Sequence, residues 1–374
     1  MIPFNKPYLT GKETKYIEEA VASGKISGNG IFTQKCQAFF EEKYGFRKAL
    51  LTTSCTDALE MCALLANINP GDEVIVPDYT FVSSALAFVR QGANIVFADS
   101  YDNNPNIDAN KIEELITEKT KAIVVVHYAG IACDMEKILS IVNKHNLILI
   151  EDAAQAIDSF YTFKDGTQKA LGSIGHLGAF SFHETKNIIS GEGGMLTIND
   201  EKFINRAEII WEKGTNRSMF FRGEINKYGW VDTGSSFLPS EIISAFLWAQ
   251  LENLNDIQQK RLEIWDRYYN GLKNNSKISL PIIPEYATNN AHMFYIICEN
   301  LDDRTALIKK LKDNGILAVF HYLSLHKSEY YNQKHDKREL PNSDHFEENL
   351  LRLPLFYELS ENEQQRVIDL INEF

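Results

Sequence analysis

A single lysine, Lys186, lies between a short apolar segment and a glycine cluster in the stretch LGAFSFHETKNIISGEGG, residues 177–194. An amine held in a partly desolvated pocket can lose its proton and attack a carbonyl group. The pattern therefore predicts Schiff-base chemistry at Lys186. The competing interpretation is a solvated loop residue, which is the usual state of a lysine beside glycines.

Asp152 supplies a complementary group, because it ends another apolar run, LILIED. If Asp152 stands at the carboxyl end of a strand, it can pair with the ring nitrogen of pyridoxal phosphate (PLP) and keep that nitrogen protonated. A protonated ring acts as an electron sink. The lysine and the aspartate together indicate a PLP site.

A phosphate site is predicted at TTSCTDAL, residues 52–59, where an apolar strand turns directly into a helix. Free N–H groups and the positive helix end attract anions there, so Ser54, Cys55 and Thr56 are candidates. Ser181, five residues before the lysine, offers a second hydroxyl source. The alternative interpretation is that Ser54 or Thr56 is only the N-cap of the helix, which is the common role of such a residue taken alone.

An aromatic ring, Phe81, follows the strand-like run DEVIVP and is placed to stack on a flat heterocycle. An aromatic residue at a helix start also fits the hydrophobic core, so both interpretations stay open.

Composition narrows the class of protein. The 374 residues carry a net charge of −13, which disfavours nonspecific attraction to nucleic acid or an anionic membrane. The five cysteines lack C-x-x-C spacing, and His321 and His326 do not have the i, i+4 spacing of a helical metal pair, so we expect no metal site. No signal peptide or membrane span is evident, and we expect a cytoplasmic protein.

Apolar runs of strand length alternate with amphipathic segments of helix length as far as MLTIND, and DANKIEELITEK, residues 108–119, is one predicted helix. Runs such as IVVV and LILI are apolar on both strand faces, which predicts a mostly parallel central sheet covered by helices. Ligand sites in such α/β sheets lie at the carboxyl strand ends. The candidates that fall at or just past those ends are Ser54, Asp78, His127, Asp152 and Phe182.

The pattern changes after about residue 238. Residues 239–275 read as one long, bent helix, followed by strand and helix patterns that predict a smaller C-terminal α/β domain. We place the boundary near residue 245, with a large domain over 1–245 and a small one over 246–374. The polar segment 330–345 is predicted to be an exposed loop.

Four stretches, in this order and spacing, carry a family resemblance: VPDYTFVSSA, EDAAQAIDS, FSFHETKN and GEGGM. They resemble the nucleotide-sugar aminotransferases of the DegT/DnrJ/EryC1/StrS family, and the similarity extends over nearly the whole chain. The resemblance implies the type I fold of PLP enzymes, like that of aspartate aminotransferase. It also implies roles for Lys186 as Schiff-base lysine, Asp152 as partner of the pyridinium nitrogen and Gln155 as a contact of the ring oxygen. The other cofactor-binding positions that it implies are Phe81 for stacking and Ser54, Cys55, Thr56 and Ser181 for phosphate.

The family forms homodimers whose active sites are shared between subunits, and we expect the same here. Many relatives contribute an asparagine from the second subunit to the phosphate, whereas this chain has Leu238 at the position we align with it. The partner's hydroxyls or polar side chains would then complete the site, and the candidates are Ser235, Ser236, Asn216 and Arg217.

The substrates implied by the resemblance are L-glutamate and a nucleotide-linked ketosugar. Arg217 and Arg222 suit the nucleotide diphosphate, with Asn216 beside them, and Tyr322 is similar to a substrate-contacting position. A solvated loop is the alternative for the arginines, and core packing is the alternative for the tyrosine.

The site of amination is predicted from His183. Members that aminate C4 of the sugar resemble SFH followed by GEGG, as here, whereas members acting at C3 more often carry SFYPGKN. We therefore expect a 4-keto-6-deoxyhexose as substrate, most similar to that of the branch making TDP-4-amino-4,6-dideoxygalactose for enterobacterial common antigen. A 3-keto sugar is the alternative.

Two other classes of function share features of this sequence. A Rossmann oxidoreductase would share the β-α alternation, but neither GSIGHLG nor GEGG matches G-x-G-x-x-G between a first strand and helix. A noncatalytic sensor of PLP or of a sugar nucleotide would keep the same pocket, so the sequence does not exclude it.

Overall fold

The computed structural model describes all 374 residues of the chain. A central sheet of seven strands has the order β1-β9-β8-β5-β4-β2-β3, in which β9 alone runs antiparallel to its neighbours. The strands are β1 (Lys48–Thr52), β2 (Glu73–Pro77), β3 (Asn94–Ala98), β4 (Thr120–Val126), β5 (Ile148–Asp152), β8 (Leu177–Ser181) and β9 (Gly194–Ile198), while β6 (Phe160–Thr162) and β7 (Gln168–Ala170) form a separate hairpin. The predicted mostly parallel α/β sheet is confirmed.

Alternate residues of the central strands enter two separate hydrophobic cores. Ile123 and Val125 of β4 belong to one core, and Ala122 and Val124 belong to the other. Because each face of the sheet is covered by helices, both sets of side chains must be apolar. This explains the continuous apolar runs of the sequence.

Twelve α-helices surround and connect the strands. Their bounds are α1 (Glu13–Ala22), α2 (Ile31–Tyr44), α3 (Cys55–Leu65), α4 (Ser83–Val89), α5 (Met135–His145), α6 (Ile204–Trp211), α7 (Arg217–Phe221), α8 (Glu241–Leu251), α9 (Leu254–Leu272), α10 (Leu301–Asp313), α11 (Pro341–Asn349) and α12 (Glu361–Asn372). None of them is long and apolar enough to cross a membrane.

A second sheet of four strands, in the order β10-β11-β13-β12, lies in the C-terminal part of the chain. Its strands are β10 (Ile278–Ser279), β11 (Phe294–Cys298), β12 (Val319–Phe320) and β13 (Leu350–Leu353). Ile2 forms a bridge to Ile316 and packs in the core of this smaller unit, so the two ends of the chain meet there. The boundary near residue 245 stays a prediction.

Three local predictions differ from the structure. The long helix of residues 239–275 is two helices, α8 and α9, with Glu252 and Asn253 between them. Residues 108–119 form only a short 3₁₀ turn, Glu113–Leu115, because both ends of the segment are tied elsewhere. The Asp108 N–H donates to the Asp99 carbonyl at 2.9 Å, and the Thr117 N–H donates to the Thr120 hydroxyl at 2.9 Å.

The third difference concerns the polar segment 330–345, which is not a freely exposed loop. Tyr331 is buried against the edge strand β3, where its hydroxyl accepts the Ile95 N–H at 2.6 Å. Helix α11 begins at Pro341, a residue that suits the first turn of a helix. The segment covers a sheet edge whose backbone groups would otherwise be unpaired.

Helix α2 receives its N-terminal cap from a distant residue. Its own N-cap, Gly30, has no side chain, and the buried carboxylate of Glu241 accepts the N–H groups of Gly30, Phe32 and Thr33 at 2.8–3.1 Å. Glu241 is also the first residue of α8, so one carboxylate joins the two helices.

Candidate active site

A cavity of about 520 Å³ opens at the carboxyl ends of the central strands. Most residues that the sequence singled out line it, and they come from segments far apart in the chain. The predicted residues on its wall are Ser54, Cys55, Thr56, Phe81, Asp152, Gln155, Ser181, His183, Lys186 and Tyr322. The convergence expected from a parallel sheet is therefore present.

Lys186 lies four residues beyond Phe182 in the turn that follows β8. Lys186 is half-buried at the cavity wall, and loss of water around its ammonium group lowers its pKa below the usual 10.5, with a further decrease from the charge of Arg352. Cys55 and Asp152 act in the opposite direction without reversing the shift. The amine is thus easier to deprotonate than a surface lysine, as nucleophilic attack requires.

Asp152 ends β5 and faces the same cavity. Ser84 donates a hydrogen bond to Oδ2 at 2.7 Å and the Ala154 N–H donates to Oδ1 at 3.1 Å. Burial nevertheless raises the pKa of Asp152 above its usual 3.8. A cationic N–H group in the cavity would remove the cost of keeping this carboxylate ionised, since each oxygen retains acceptor capacity.

Strand pairing brings the two predicted phosphate-binding segments together. Gly194 of β9 pairs with Thr52 of β1 on one side and with Ser181 of β8 on the other. A side chain at Gly194 would collide with the backbone of Ser54, because a Cβ atom there would lie 2.3 Å from the Ser54 carbonyl carbon. The glycine therefore lets β9 support the beginning of helix α3 closely.

Ser54 is the N-cap of α3, and its hydroxyl oxygen accepts the Asp57 N–H at 3.0 Å. The capping interpretation of Ser54 is thus correct, and the same residue also borders the cavity. Thr56 shares a hydrogen bond of 2.7 Å with Ser83, which lines the cavity too. The Ser181 hydroxyl accepts the His183 N–H at 3.3 Å, so its own proton remains available for a ligand.

Two aromatic rings and one amide side chain also line the cavity, those of Phe81, Tyr322 and Gln155. Phe81 is 56% exposed and its ring centroid lies 6.0 Å from that of Tyr322. Gln155 donates from Nε2 to the Tyr322 hydroxyl at 3.1 Å and accepts the Ala129 N–H at 2.6 Å. The exposed face of Phe81 is therefore free to stack on a planar ligand.

His183 is half-buried at the cavity wall. Its Nδ1 lies 2.9 Å from the Thr185 hydroxyl, and its Nε2 lies 3.7 Å from a Glu192 carboxylate oxygen. The ring is held on one side and open to a ligand on the other.

Five predicted residues lie outside the cavity of their own chain, in the segment 212–236. The Asn216 side chain accepts the Gly229 N–H, and Arg222 pairs with Glu208 and Glu224 at 2.7 Å. Arg217 is exposed and lies 3.7 Å from Glu212, while Ser235 and Ser236 are also exposed. Their predicted contribution from a second subunit stays a prediction.

Several cavity residues escaped the sequence reasoning. Arg352, His292 and His321 enter from the smaller sheet and its connections, and Ser83 and Thr80 come from the segment after β2. Of these, Arg352 offered a signal, because a charge within the apolar run NLLRLPLF is unusual for a buried strand.

Glu151, the other member of the acidic pair, serves the scaffold. It is fully buried and accepts the N–H groups of Gly172, Ile174 and Gly175, together with Nε2 of His127 at 2.9 Å. Since His127 Nδ1 accepts the Cys133 N–H, the ring proton must lie on Nε2 and point at Glu151. This network fixes the end of β5 on which Asp152 stands.

The chemistry of the cavity residues matches the functional groups of PLP. A helix start and hydroxyls suit its phosphate, an exposed ring suits its heterocycle, a buried acceptor suits its ring nitrogen, and an amine of lowered pKa suits its aldehyde. The cavity can therefore hold the cofactor that the sequence predicts.

Comparison with known proteins gives a family match. The model of the DegT/DnrJ/EryC1/StrS aminotransferase family covers residues 7–372. The spore coat polysaccharide biosynthesis protein SpsC of Bacillus subtilis (strain 168) is 32% identical over an alignment of 381 positions, which covers 100% of this chain and 96% of that protein. GDP-perosamine synthase of Escherichia coli O157:H7 is 32% identical over an alignment of 377 positions, which covers 100% of this chain and 98% of that protein.

Solved structures agree with this match. A protein of Streptococcus pneumoniae described as a sugar aminotransferase, in its PLP form, has a TM-score of 0.91 at 28% identity and covers 100% of this chain and 98% of its own. The aminotransferase TlmJ of Streptoalloteichus hindustanus has the same TM-score, identity and coverage. The chain therefore belongs to the DegT/DnrJ/EryC1/StrS aminotransferase family, as a PLP-dependent sugar aminotransferase with the type I fold.

Proposed function

We propose that the protein transfers the amino group of L-glutamate to C4 of a dTDP-linked 4-keto-6-deoxyhexose. The product would be dTDP-4-amino-4,6-dideoxygalactose or its gluco epimer. The observation that carries the proposal is the single cavity in which the amine of Lys186, the carboxylate of Asp152 and a set of hydroxyls meet.

The residues that would hold PLP divide by chemistry. Ser54, Cys55, Thr56 and Ser181 would bind its phosphate, and Phe81, Asp152 and Gln155 would contact its ring. When bound, PLP supplies an aldehyde that amines attack and a ring that accepts electrons.

Lys186 would do two things in this site. Its neutral amine would bind the aldehyde group of the cofactor, and once released from it Nζ would take up and return a proton. The lowered pKa of Lys186 supports the first role, because a protonated amine has no lone pair to attack with. Asp152 would stay ionised and hold the ring N–H, and the Ser84 hydrogen bond fixes its orientation.

The C4 assignment rests on His183. The ring is anchored by Thr185 and borders the cavity, so it can contact the sugar near the reacting carbon. The alternative is a 3-keto-6-deoxyhexose, which would turn another edge of the sugar toward Lys186.

The nucleotide has a second candidate. GDP is favoured by the relative whose name is GDP-perosamine synthase. The name of the Bacillus relative, a spore coat polysaccharide biosynthesis protein, supports a role for the amino sugar in a surface polysaccharide. For this protein we propose lipopolysaccharide O-antigen or enterobacterial common antigen as that polysaccharide.

We further propose that a second copy of the chain completes the site. The segment 212–236 exposes apolar side chains, with Trp230 84% exposed and Phe221 68% exposed, more than an isolated surface favours. Asn216, Arg217, Arg222, Ser235 and Ser236 belong to this segment, which would let them reach the partner's cavity.

One experiment tests the function. Purified PLP-loaded protein is incubated with L-glutamate and dTDP-, UDP- and GDP-linked 4-keto-6-deoxyhexoses, with the corresponding 3-keto sugars as controls. Mass and proton couplings should identify a 4-amino sugar formed from the dTDP-linked ketosugar. Amination at C3, or of none of the sugars, contradicts the proposal, and conversion of the cofactor by glutamate without any sugar product favours a sensor.

A further inference from the structure

His292 is a buried histidine in the segment that leads into β11, and it lines the cavity that contains Lys186. Its backbone is held from two sides. Arg261 of α9 donates to the His292 carbonyl at 2.7 Å, and the His292 N–H donates to the side-chain oxygen of Asn290 at 3.0 Å. The imidazole ring therefore starts from a fixed position in the cavity wall.

A hydrogen-bond network determines which ring nitrogen of His292 carries the proton. The Asn187 amide donates from Nδ2 to the Asn290 carbonyl at 2.9 Å and to the Gln258 side-chain oxygen at 2.8 Å. Its Oδ1 is therefore an acceptor, and this oxygen lies 2.8 Å from Nδ1 of His292. The proton must then be on Nδ1, which leaves Nε2 with a lone pair whenever the ring is neutral.

The surroundings of His292 keep the ring neutral. Burial lowers the pKa of His292 well below 6.5. Neighbouring cationic and imidazole groups act in the same direction, and they are Lys186, Arg352, Arg261 and His321. Nε2 accepts no hydrogen bond from any other group of the protein, so an acceptor without a donor is held at the cavity wall.

Lys186 provides the complementary group, a donor without an acceptor. Its Nζ forms no hydrogen bond or ion pair within the protein, although a free lysine amine has N–H groups to donate. Unpaired donors are costly where water is scarce. Asp152 already receives hydrogen bonds from Ser84 and Ala154, and it is the expected partner of the cofactor ring.

The two unpaired groups are close along the chain as well as in the cavity. His292 is bonded to the side chain of Asn187, the residue after Lys186, and the Lys186 charge acts on the imidazole. The flexible four-carbon stem of a lysine lets its amine move between neighbouring partners.

We propose that His292 is a positioning residue whose Nε2 accepts a hydrogen bond from Nζ of Lys186 whenever that amine is not bound to the cofactor. This bond would keep the released amine next to the reacting carbons while it takes up and returns a proton. The proposal depends on PLP chemistry at Lys186 and not on the identity of the sugar.

Two substitutions separate this role from a purely structural one. In His292→Asn, the amide nitrogen can replace Nδ1–H and keep the bond to Asn187, but the acceptor at Nε2 is lost. In His292→Gln, the longer side chain can place an oxygen near the position of Nε2, but the bond to Asn187 is lost. The proposal predicts damage in His292→Asn, whereas a structural role predicts damage in His292→Gln.

The first measurement is the pH dependence of covalent attachment of PLP to the full-length, cofactor-free protein, followed by visible absorbance. An acceptor at Nε2 stabilises the ammonium more than the neutral amine. The midpoint of attachment should therefore move about one pH unit lower in His292→Asn and stay within about 0.3 in His292→Gln. The charged and titratable groups that act on Lys186, which are Cys55, Arg352 and Asp152, are the same in both variants.

The second measurement is turnover of the PLP-loaded proteins. His292→Asn should lower the rate of both half-reactions by about 10-fold, because Lys186 moves a proton in each, and the KM for L-glutamate should change less than about threefold. His292→Gln should stay within about threefold of the unmodified protein. His145→Asn is the control, because this histidine pairs with Glu113 at the end of α5, outside the cavity.

Unfolding curves establish that each variant is folded. If His292→Asn is not, His292→Gln carries the test, and a midpoint that differs from that of the unmodified protein overturns the proposal. A midpoint that moves in His292→Gln and not in His292→Asn also overturns it and assigns a structural role to His292. Equal midpoints in the two variants do the same. If no ketosugar is accepted but the midpoint falls only in His292→Asn, the proposed sugar function is wrong and the role of His292 stands.

Discussion

Two buried aspartates stand at the carboxyl edge of the same sheet, and they differ in what they contact. Asp78, just after β2, is enclosed by His326, whose backbone N–H and Nδ1 both lie 2.7 Å from its carboxylate. Asp152, at the end of β5, receives one hydroxyl and one N–H and then faces the cavity. Both aspartates stand at the end of a strand, but only the carboxylate of Asp152 keeps acceptor positions free for a ligand. Asp78 therefore stabilises the fold through His326, whereas Asp152 belongs to the chemical site.

The largest effect is expected at Lys186, which lines the same cavity as Asp152. Lys186→Ala should reduce transamination by more than about 1000-fold, because the nucleophile and the proton carrier are lost together. Borohydride reduction followed by peptide mass analysis should attach PLP to the Lys186 peptide in the unmodified protein. The exposed Lys111→Ala variant is the control and should keep both properties. Turnover of Lys186→Ala above a tenth of that of the unmodified protein would contradict the assignment of Lys186 as nucleophile and proton carrier.

Asp152→Asn should come next, with turnover falling about 100- to 1000-fold, since an amide cannot balance a protonated ring nitrogen. Its free energy of unfolding should change by less than about 1 kcal/mol, because burial already makes the empty carboxylate unfavourable. Steady-state kinetics and urea unfolding measure the two quantities.

Asp78→Asn should give the reverse result. The free energy of unfolding should fall by about 1–3 kcal/mol, because the charged acceptor of His326 is lost. Turnover per folded molecule should stay within about threefold. Equal effects of the two aspartate variants on turnover would show that Asp78 and Asp152 do not have separate roles.

A smaller effect is expected at Ser181. Ser181→Ala should weaken PLP binding about 10- to 100-fold, since a hydrogen bond to a charged phosphate is lost. Titration of the cofactor-free protein with PLP measures this. Ser173→Ala is the control, because its hydroxyl bonds to the Ala170 carbonyl away from the cavity. Unchanged PLP affinity would exclude Ser181 from the phosphate site.

The smallest effect concerns pH. Burial opposes protonation of His326, but its hydrogen bond and ion pairing with Asp78, with a contribution from Asp344, raise its pKa above 6.5. Because the pKa of His326 is higher in the folded protein than in the unfolded chain, protonated His326 stabilises the folded state fully below pH 6.5. This stabilisation is lost as the pH rises through the pKa that His326 has in the folded protein. The difference in unfolding free energy between the unmodified protein and His326→Gln, about 1 kcal/mol, should therefore be largest near pH 6 and smaller at pH 8. A difference that grows with pH contradicts this pairing.

The sequence alone predicted those site residues whose position follows from the local pattern of strands and helices. Parallel strands bring their carboxyl ends to one edge, so Ser54, Asp152 and the turn carrying Lys186 could be brought together from apolar runs alone. Family resemblance added Gln155 and Tyr322, which the structure also finds at the cavity.

What the sequence could not supply depended on contacts between distant segments. The difference between Asp78 and Asp152 is set by His326, a residue far along the chain. The sequence shows Arg352 only as an unusual charge within an apolar strand, and the structure shows that it lines the same cavity as Lys186. Residues 108–119 have an amphipathic pattern, yet their ends form hydrogen bonds to Asp99 and Thr120, outside the segment, and only a short 3₁₀ turn forms.

The carboxylate that caps α2 also sets an order of events during synthesis. Gly30 and Glu241 are separated by 211 positions, so α2 leaves the ribosome long before its cap exists. At ~5–20 residues per second the delay is on the order of 10–40 s. During that interval the N–H groups of the first turn of α2 have only water as a partner, and α2 must wait for α8 before it can reach its final stability.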